Sequence, residues 1–252
     1  AAEFGHPEAR YELYKVKGEQ SVEAIHVLRK LALAGHTEAE YELADYYRTH
    51  KQYAEAPKWY KRSAAKGKIE AYVYLAIATA KGVGEVKDPK TALEYYIKSE
   101  KLGENQLARY GRGRLYEKGE GVEHNLVAAL NMYTRSAELG YIKGYYRAGK
   151  LCLTGQVLGG GLQQGCSLLE QASQGGIYKA SYLLGNIFMM GIGKAIDLGL
   201  ARRYYEHASV EENTDAKSRD QALVQLAILH MYGGLTSERK ASKKAINCIE
   251  ET

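Results

Sequence analysis

The chain has 252 residues, with 35 Lys and Arg against 30 Asp and Glu, a net charge of +5 and three cysteines. No run approaches the roughly 18 apolar residues needed to cross a bilayer, and three cysteines are too few for a disulfide framework. A modest positive charge, with no basic cluster larger than KASKK at 240–244, argues against binding driven by nucleic-acid phosphates.

In chain order the first signal is AAEFG at the N-terminus, which matches the later segments SAAKG and SAELG, and no basic region leads into an apolar stretch there. The chain is therefore expected to start inside a repeat of a longer protein. Six glycines, Gly5, Gly35, Gly67, Gly103, Gly140 and Gly176, recur at intervals of 30 to 37 residues. Four places after most of them stands a small residue (Ala9, Ala39, Ala71, Gly144, Ala180), and often a tyrosine follows two further on (Tyr11, Tyr41, Tyr146, Tyr182). With one residue inserted, the fourth unit supplies Ala108, Tyr110 and Gly113. Self-similarity at this period marks stacked units that bury their apolar faces only against neighbours. The units lie near 5–34, 35–66, 67–102, 103–139, 140–175, 176–209 and 216–252.

Each unit reads as two helices. In the third, IEAYVYLAIATAKG (69–82) is the first helix and PKTALEYYIKSEKLG (89–103) the second, joined by VGEVKD. Asp88 before Pro89 predicts an N-cap with proline in the first turn, and Gly103 predicts a helix end with positive φ. Other second helices are expected near 54–66, 126–139, 163–174 and 198–209. The small residues let paired helices approach closely. The fifth unit carries the glycine-rich loop TGQVLGGGLQQG (154–165), read as a mobile hinge or contact edge. VEENTDAKSRD (210–220) reads as a long polar connection to a last unit, QALVQLAILHMYGG (221–234) then KASKKAINCIEE.

The pattern A-x-Y-x-L-A/G, then L-Y-x-x-G-x-G-V, then A-x-x-x-Y/W-x-x-x-A-x-x-G stands here as YGRGRLYEKGEGV (110–122) and AALNMYTRSAELG (128–140). It resembles the Sel-1-like repeat family, relatives of the tetratricopeptide repeats, over nearly the whole chain. Departures are Arg112 at a usually apolar position, shortened connections in the first two units, and the glycine loop in the fifth. The resemblance implies an all-α, right-handed solenoid of antiparallel helix pairs, with first helices lining the concave face. It implies adaptor roles in bacterial envelope and secretion systems, host interaction or endoplasmic reticulum quality control, and favours an envelope-associated or secreted protein. It implies no catalytic residues.

Other constellations point the same way. GVG (82–84), GEG (119–121) and GIG (191–193) recur between paired helices without a preceding strand or a P-loop lysine, so they read as turns. The seven histidines show no HxxxH or HExxH spacing, and neither a metal site nor a cofactor is expected. Cys152 and Cys166 fall on facing helices and read either as buried thiols or as a pair. There are 22 tyrosines against two Phe and one Trp. The first-helix tyrosines form a ladder that either packs at unit junctions or presents hydroxyl-tipped rings to a groove.

Basic residues exceed acidic ones over 106–210, while the two balance over 1–105. By analogy with tetratricopeptide geometry, two first-helix positions per unit face the groove. One carries Glu8, Glu38 and Glu70, then Leu107, Lys143 and Lys179; the other carries Lys15, Asp45, Ile77, Arg114, Lys150 and Asn186. The groove is expected to lean acidic early and basic later, or else to be a solvated face. The expected contact residues are Tyr110, Arg114, Lys143, Tyr146, Lys150, Lys179 and Tyr182. The expected partner is a protein or extended peptide with an acidic surface; the rival is an anionic polysaccharide.

Overall fold

Amphipathic runs joined by short connections fold as helices among the described residues. The computed structural model describes residue 11 and residues 22–155, 161–193, 195–210 and 215–231, and among them there is no strand. The chain divides into two compact units, one ending at Tyr141 and the other starting at Ile142. In the first lie α1 (Val22–Leu33), α2 (Thr37–Thr49), α3 (Ala56–Ala65), α4 (Ile69–Lys81), α5 (Pro89–Leu102), α6 (Gln106–Lys118) and α7 (Leu126–Glu138). In the second lie α8 (Lys143–Leu153), α9 (Leu162–Gln174), α10 (Tyr178–Met190), α11 (Leu198–Ala208) and a helix α12 over 216–231. Within each unit the helices from α1 to α11 pack on their neighbours in sequence, and the short connections make successive helices antiparallel. No described helix is long and apolar enough to cross a membrane.

The repeated small residues sit where helices touch. Ala39, Ala71, Ala108 and Ala180 are fully buried, and Gly144 is buried too. The first unit's core runs through Leu28, Leu43, Tyr60 and Leu75, then Val73, Tyr96 and Leu115. The second unit's core gathers Leu169, Leu184, Ile187, Phe188 and Tyr205. A serine in the last turn of the second helix closes two of the hairpins. Ser63 Oγ donates to the Thr37 carbonyl at 3.0 Å, and Ser136 Oγ donates to the Gln106 carbonyl at 2.6 Å.

Local chemistry sets the helix ends. Asp88 caps α5 as expected, its Oδ1 accepting from the Lys90 and Thr91 amides at 3.1 and 3.2 Å, with Pro89 in the first turn. Both glycines of each G-x-G turn have φ between 64° and 76°. The second glycine also admits the preceding repeat: a Cβ on Gly84 would fall 1.8 Å from the Tyr53 carbonyl oxygen. Gly103 departs from expectation. Its φ of 173° is extended backbone, and its reason is contact, since a Cβ there would fall 2.9 Å from Ile69 Cδ1.

Two expected connections are shorter than read. α9 starts at Leu162, so Gly165 lies buried inside a helix beside Cys152 rather than in a loop. Residues 156–160 of the expected hinge lie outside the described residues. The helix α12 starts at 216, because Asp215 accepts from the Ser218 amide at 3.2 Å and caps it, so 216–220 is helix and not linker. The rest of the last unit and most of the first also lie outside the described residues. Cys152 and Cys166 are buried thiols that form no disulfide with each other.

Candidate functional site

Four of the described hairpins carry a buried tyrosine on the second helix; in the α8–α9 pair Leu169 holds that place. Tyr60, Tyr96, Tyr133 and Tyr205 are buried to 3% exposure or less. Three of their hydroxyls reach back to the first helix of their own pair. Tyr60 donates to Asp45 Oδ1 at 3.1 Å, Tyr205 to Asn186 Oδ1 at 2.7 Å, and Tyr133 to Glu117. Burial pushes the Tyr205 hydroxyl up to about 12. Asp45 and Asn186 occupy the same repeat position. In the α4–α5 pair that position is Ile77, which cannot accept. The ring tip of Tyr96 instead meets the next first helix, where a Cβ on Gly111 would fall 2.3 Å from its hydroxyl oxygen.

Around that exception lies a cavity of about 310 Å³ between α4 and α6. Its wall carries Lys81, Lys87, Arg114 and Lys118 against a single carboxylate, Glu120, together with Tyr96, Tyr110 and Tyr141. Lys87 is bonded to Glu120 at 3.1 Å, and Lys118 lies 3.9 Å from it. The Lys87 bond holds Glu120 below the usual carboxylate range, so Glu120 stays charged. Among the described residues Arg114 makes no ion pair or hydrogen bond; it lines the cavity, with its charge within electrostatic reach of Glu120. Burial raises the Tyr96 and Tyr141 hydroxyls above their ordinary value, against the opposing charge of Arg114. Those hydroxyls remain neutral donors. The arrangement suits an anion, which an arginine can bind through two parallel N–H bonds.

A second cavity of about 320 Å³ adjoins it across the shared residues Ile77 and Lys81, and lies between α2 and α4. First helices therefore line this groove in the first unit, as expected. At the expected early acidic positions, Asp45 is paired with Arg48 at 2.6 Å, while Glu38 and Glu70 share Lys68 at 2.7 and 3.5 Å, so the described acids outnumber their partners there. Positive charge exceeds negative in the cavity between α4 and α6.

The ladder of first-helix tyrosines packs at the hairpins. Tyr41, Tyr110 and Tyr182 lie 5.9, 5.3 and 6.0 Å from Tyr60, Tyr133 and Tyr205. All three remain partly exposed, and packing at the hairpins is the reading of the ladder that these contacts show. Of the seven expected contact residues, Tyr110 and Arg114 meet in the α4–α6 cavity. The other five belong to the second unit. Lys143 and Lys150 are exposed on α8, and Tyr146 is half-buried against that unit's core. Lys179 on α10 lies 3.2 Å from Asp215, and Tyr182 packs by Tyr205. Sequence reasoning missed Lys81, Lys87, Lys118, Tyr96 and Tyr141. The turn residues Lys87 and Glu120 sit by the G-x-G pairs, and Tyr96 holds the family's Y/W position, but no one-dimensional pattern joins them. Arg112, the odd residue at an apolar position, is ion-paired with Glu100. No group of three or more His, Cys, Asp or Glu among the described residues is placed to hold a metal.

Antiparallel helix pairs, recurring with buried small residues and a first-helix groove, define a helical-repeat protein of the solenoid class. The Sel1 repeat model matches residues 37–68, 69–104, 106–141 and 179–209, and the chain belongs to the Sel1 repeat family. Sel1 repeats form a non-catalytic, general protein–protein interaction scaffold. The chain is 29% identical over 194 residues to an uncharacterised protein of Neisseria meningitidis serogroup B, covering 76% of the chain and 40% of that protein. It thus spans about two-fifths of the length of this relative. Among solved structures it resembles a protective antigen of uropathogenic Escherichia coli strains displaying an SLR fold (TM-score 0.78, 23% identity, 92% of this chain and 50% of that one). It also resembles a Sel1 repeat protein of Oxalobacter formigenes (TM-score 0.73, 23% identity, 89% and 67%). These likenesses show the fold.

Proposed function

We propose that the protein is a non-enzymatic adaptor whose first-helix groove binds an acidic protein surface or extended acidic peptide. The observation that carries this reading is Arg114, which forms no ion pair or hydrogen bond among the described residues and stands among Lys81, Lys87 and Lys118 in a cavity that the neutral Tyr96 hydroxyl also lines. Such charges steer encounter and select the partner more than they add raw affinity. In the second unit, Lys143, Tyr146, Lys150, Lys179 and Tyr182 are proposed as that unit's own contact positions.

The test is a titration of fluorescent acidic, neutral and basic peptides, and of charged polysaccharides, against the full chain at several salt concentrations. Acidic peptides should bind and weaken with salt. Arg114→Gln should weaken them about tenfold, in line with loss of one charge-assisted contact. Lys98→Glu, on the second helix α5, should change nothing. Preference for basic peptides or for an anionic polysaccharide alone, or loss of binding through Lys98→Glu and not Arg114→Gln, would overturn the assignment.

A further inference from the structure

The cavity between α2 and α4 differs in chemistry from its neighbour. The Tyr60 and Tyr74 rings stack there at 5.4 Å and 11°. Pro57 and Ala78 line the same space, and Tyr53 and Val83 stand at 42% and 36% exposure. Arg48 also reaches it, but its charge is taken. The guanidinium is bonded to Asp45 and lies 4.8 Å over the Tyr74 ring. Beyond Lys81 on the shared wall, the space is apolar and aromatic, whereas the adjoining one is basic. Exposed apolar side chains gathered around a concavity are a feature of ligand sites.

From this pairing we infer that the groove reads a two-part motif in one extended peptide: an apolar side chain in the α2–α4 cavity and an acidic one in the α4–α6 cavity. The inference rests on the acidic-partner reading above and adds the apolar anchor and its spacing. Packed helices lie about 8–10 Å apart, and extended chain advances about 3.3–3.6 Å per residue. The two side chains therefore stand two or three residues apart. An acidic surface without the apolar residue fills half the groove.

Fluorescence anisotropy on the full chain tests this with synthetic peptides. One set is acidic with alanine at the apolar place. Others carry Leu two or three residues before or after the acidic residue, or six residues away. In one chain direction, the short spacing should tighten binding about ten- to thirtyfold, the range expected for burying one aliphatic side chain. Ala78→Leu, which fills the apolar cavity, should abolish that gain and leave the alanine peptide's affinity unchanged. Val83→Asn, at the exposed rim, should do the same without adding charge and guards against a folding defect in the first variant. Arg114→Gln should weaken every peptide. An equal gain at the six-residue spacing, no gain in either direction, or a loss of alanine-peptide binding in both cavity variants would overturn the inference. Failure of the alanine peptide to bind the unaltered protein would instead overturn the acidic-partner reading itself.

Discussion

Glycine within a helix ordinarily costs about 1 kcal/mol relative to alanine, so a first-helix glycine calls for a reason. Gly185 in α10 has one. A Cβ there would fall 2.5 and 2.7 Å from Cε1 and Cδ1 of Tyr205, a ring that is fully buried and tied to Asn186. Ordinary carbon contacts lie near 3.5 Å or beyond, so the ring would have to retreat by roughly 1 Å. Gly113 faces Tyr133 less tightly, at 2.8 Å. Overpacking of a well-filled site costs about 1–3 kcal/mol. Set against the gain of about 1 kcal/mol in propensity, Gly185→Ala should be destabilising by about 2 kcal/mol and Gly113→Ala by about 1 or less. At roughly 2–4 °C per kcal/mol for a chain this long, Gly185→Ala should lower the melting temperature of the second unit by about 4–8 °C. Thermal circular dichroism reads the ranking. Tyr205→Leu, which removes the ring, should cancel most of the penalty in a double-mutant cycle. If Gly185→Ala is neutral or stabilising, or if the pair adds independently, close approach to the ring is not why glycine stands there.

Tyr205→Phe keeps the ring and removes the hydroxyl, leaving Asn186 without its donor, and should cost about 1 kcal/mol in urea unfolding. Asp88 is held below the ordinary carboxylate value by the Thr91 hydroxyl first and backbone amides second. A depressed native value means its cap stabilises fully above its unfolded value near 4 and is lost as pH falls through the lower native one. Asp88→Asn should therefore flatten the acid limb of melting temperature against pH below about 4, and an unaltered limb would remove Asp88 from that transition. In the second unit, Lys143→Glu with Lys150→Glu should slow association with acidic peptides while leaving helicity intact. Lys179→Glu should in addition loosen α12, because it sets a carboxylate beside the cap residue Asp215, and hydrogen exchange over 216–231 would report it.

The fold was legible because its constraint is periodic. One small residue at a fixed offset from each glycine suffices to set the helix contact, and Ala39, Ala71, Ala108 and Ala180 all lie at zero exposure. The readings that failed concern single places where local chemistry replaced the repeat's rule. Gly103 looks like a left-handed terminus, yet it is needed for the approach of Ile69. The segment 210–220 looks polar enough for a linker, yet Asp215 and Ser218 start a helix within it. Acidic groove positions could be listed from sequence, but not their partners: Lys68 reaches both Glu38 and Glu70 from the connection before α4, and Arg48 pairs with Asp45 one turn away. Of the site, Tyr110 and Arg114 were legible, since they occupy repeat positions. Lys87 and Tyr141 were not, as they reach the cavity from a turn and from beyond the end of a second helix.

The site's location follows from a break in the repeat's own bonding. In the α2–α3 and α10–α11 pairs, a polar residue at one first-helix position holds the hydroxyl of the second-helix tyrosine. In the α6–α7 pair that position is Arg114, a donor that cannot accept, so Tyr133 turns to Glu117. In the α4–α5 pair the position is Ile77, and Tyr96 extends toward α6. These two pairs are consecutive, and the cavity lies between their first helices; the α8–α9 pair, with Lys150 and Leu169 at the two positions, lacks the bond as well. One missing acceptor sends a tyrosine tip to the cavity wall; one unusable position places an arginine opposite it. A repeat that satisfies itself at every unit would present only closed hairpins. In the α4–α5 and α6–α7 pairs Arg114 and the Tyr96 hydroxyl stand outside that pattern, and these are the donors that the proposed acidic partner would use.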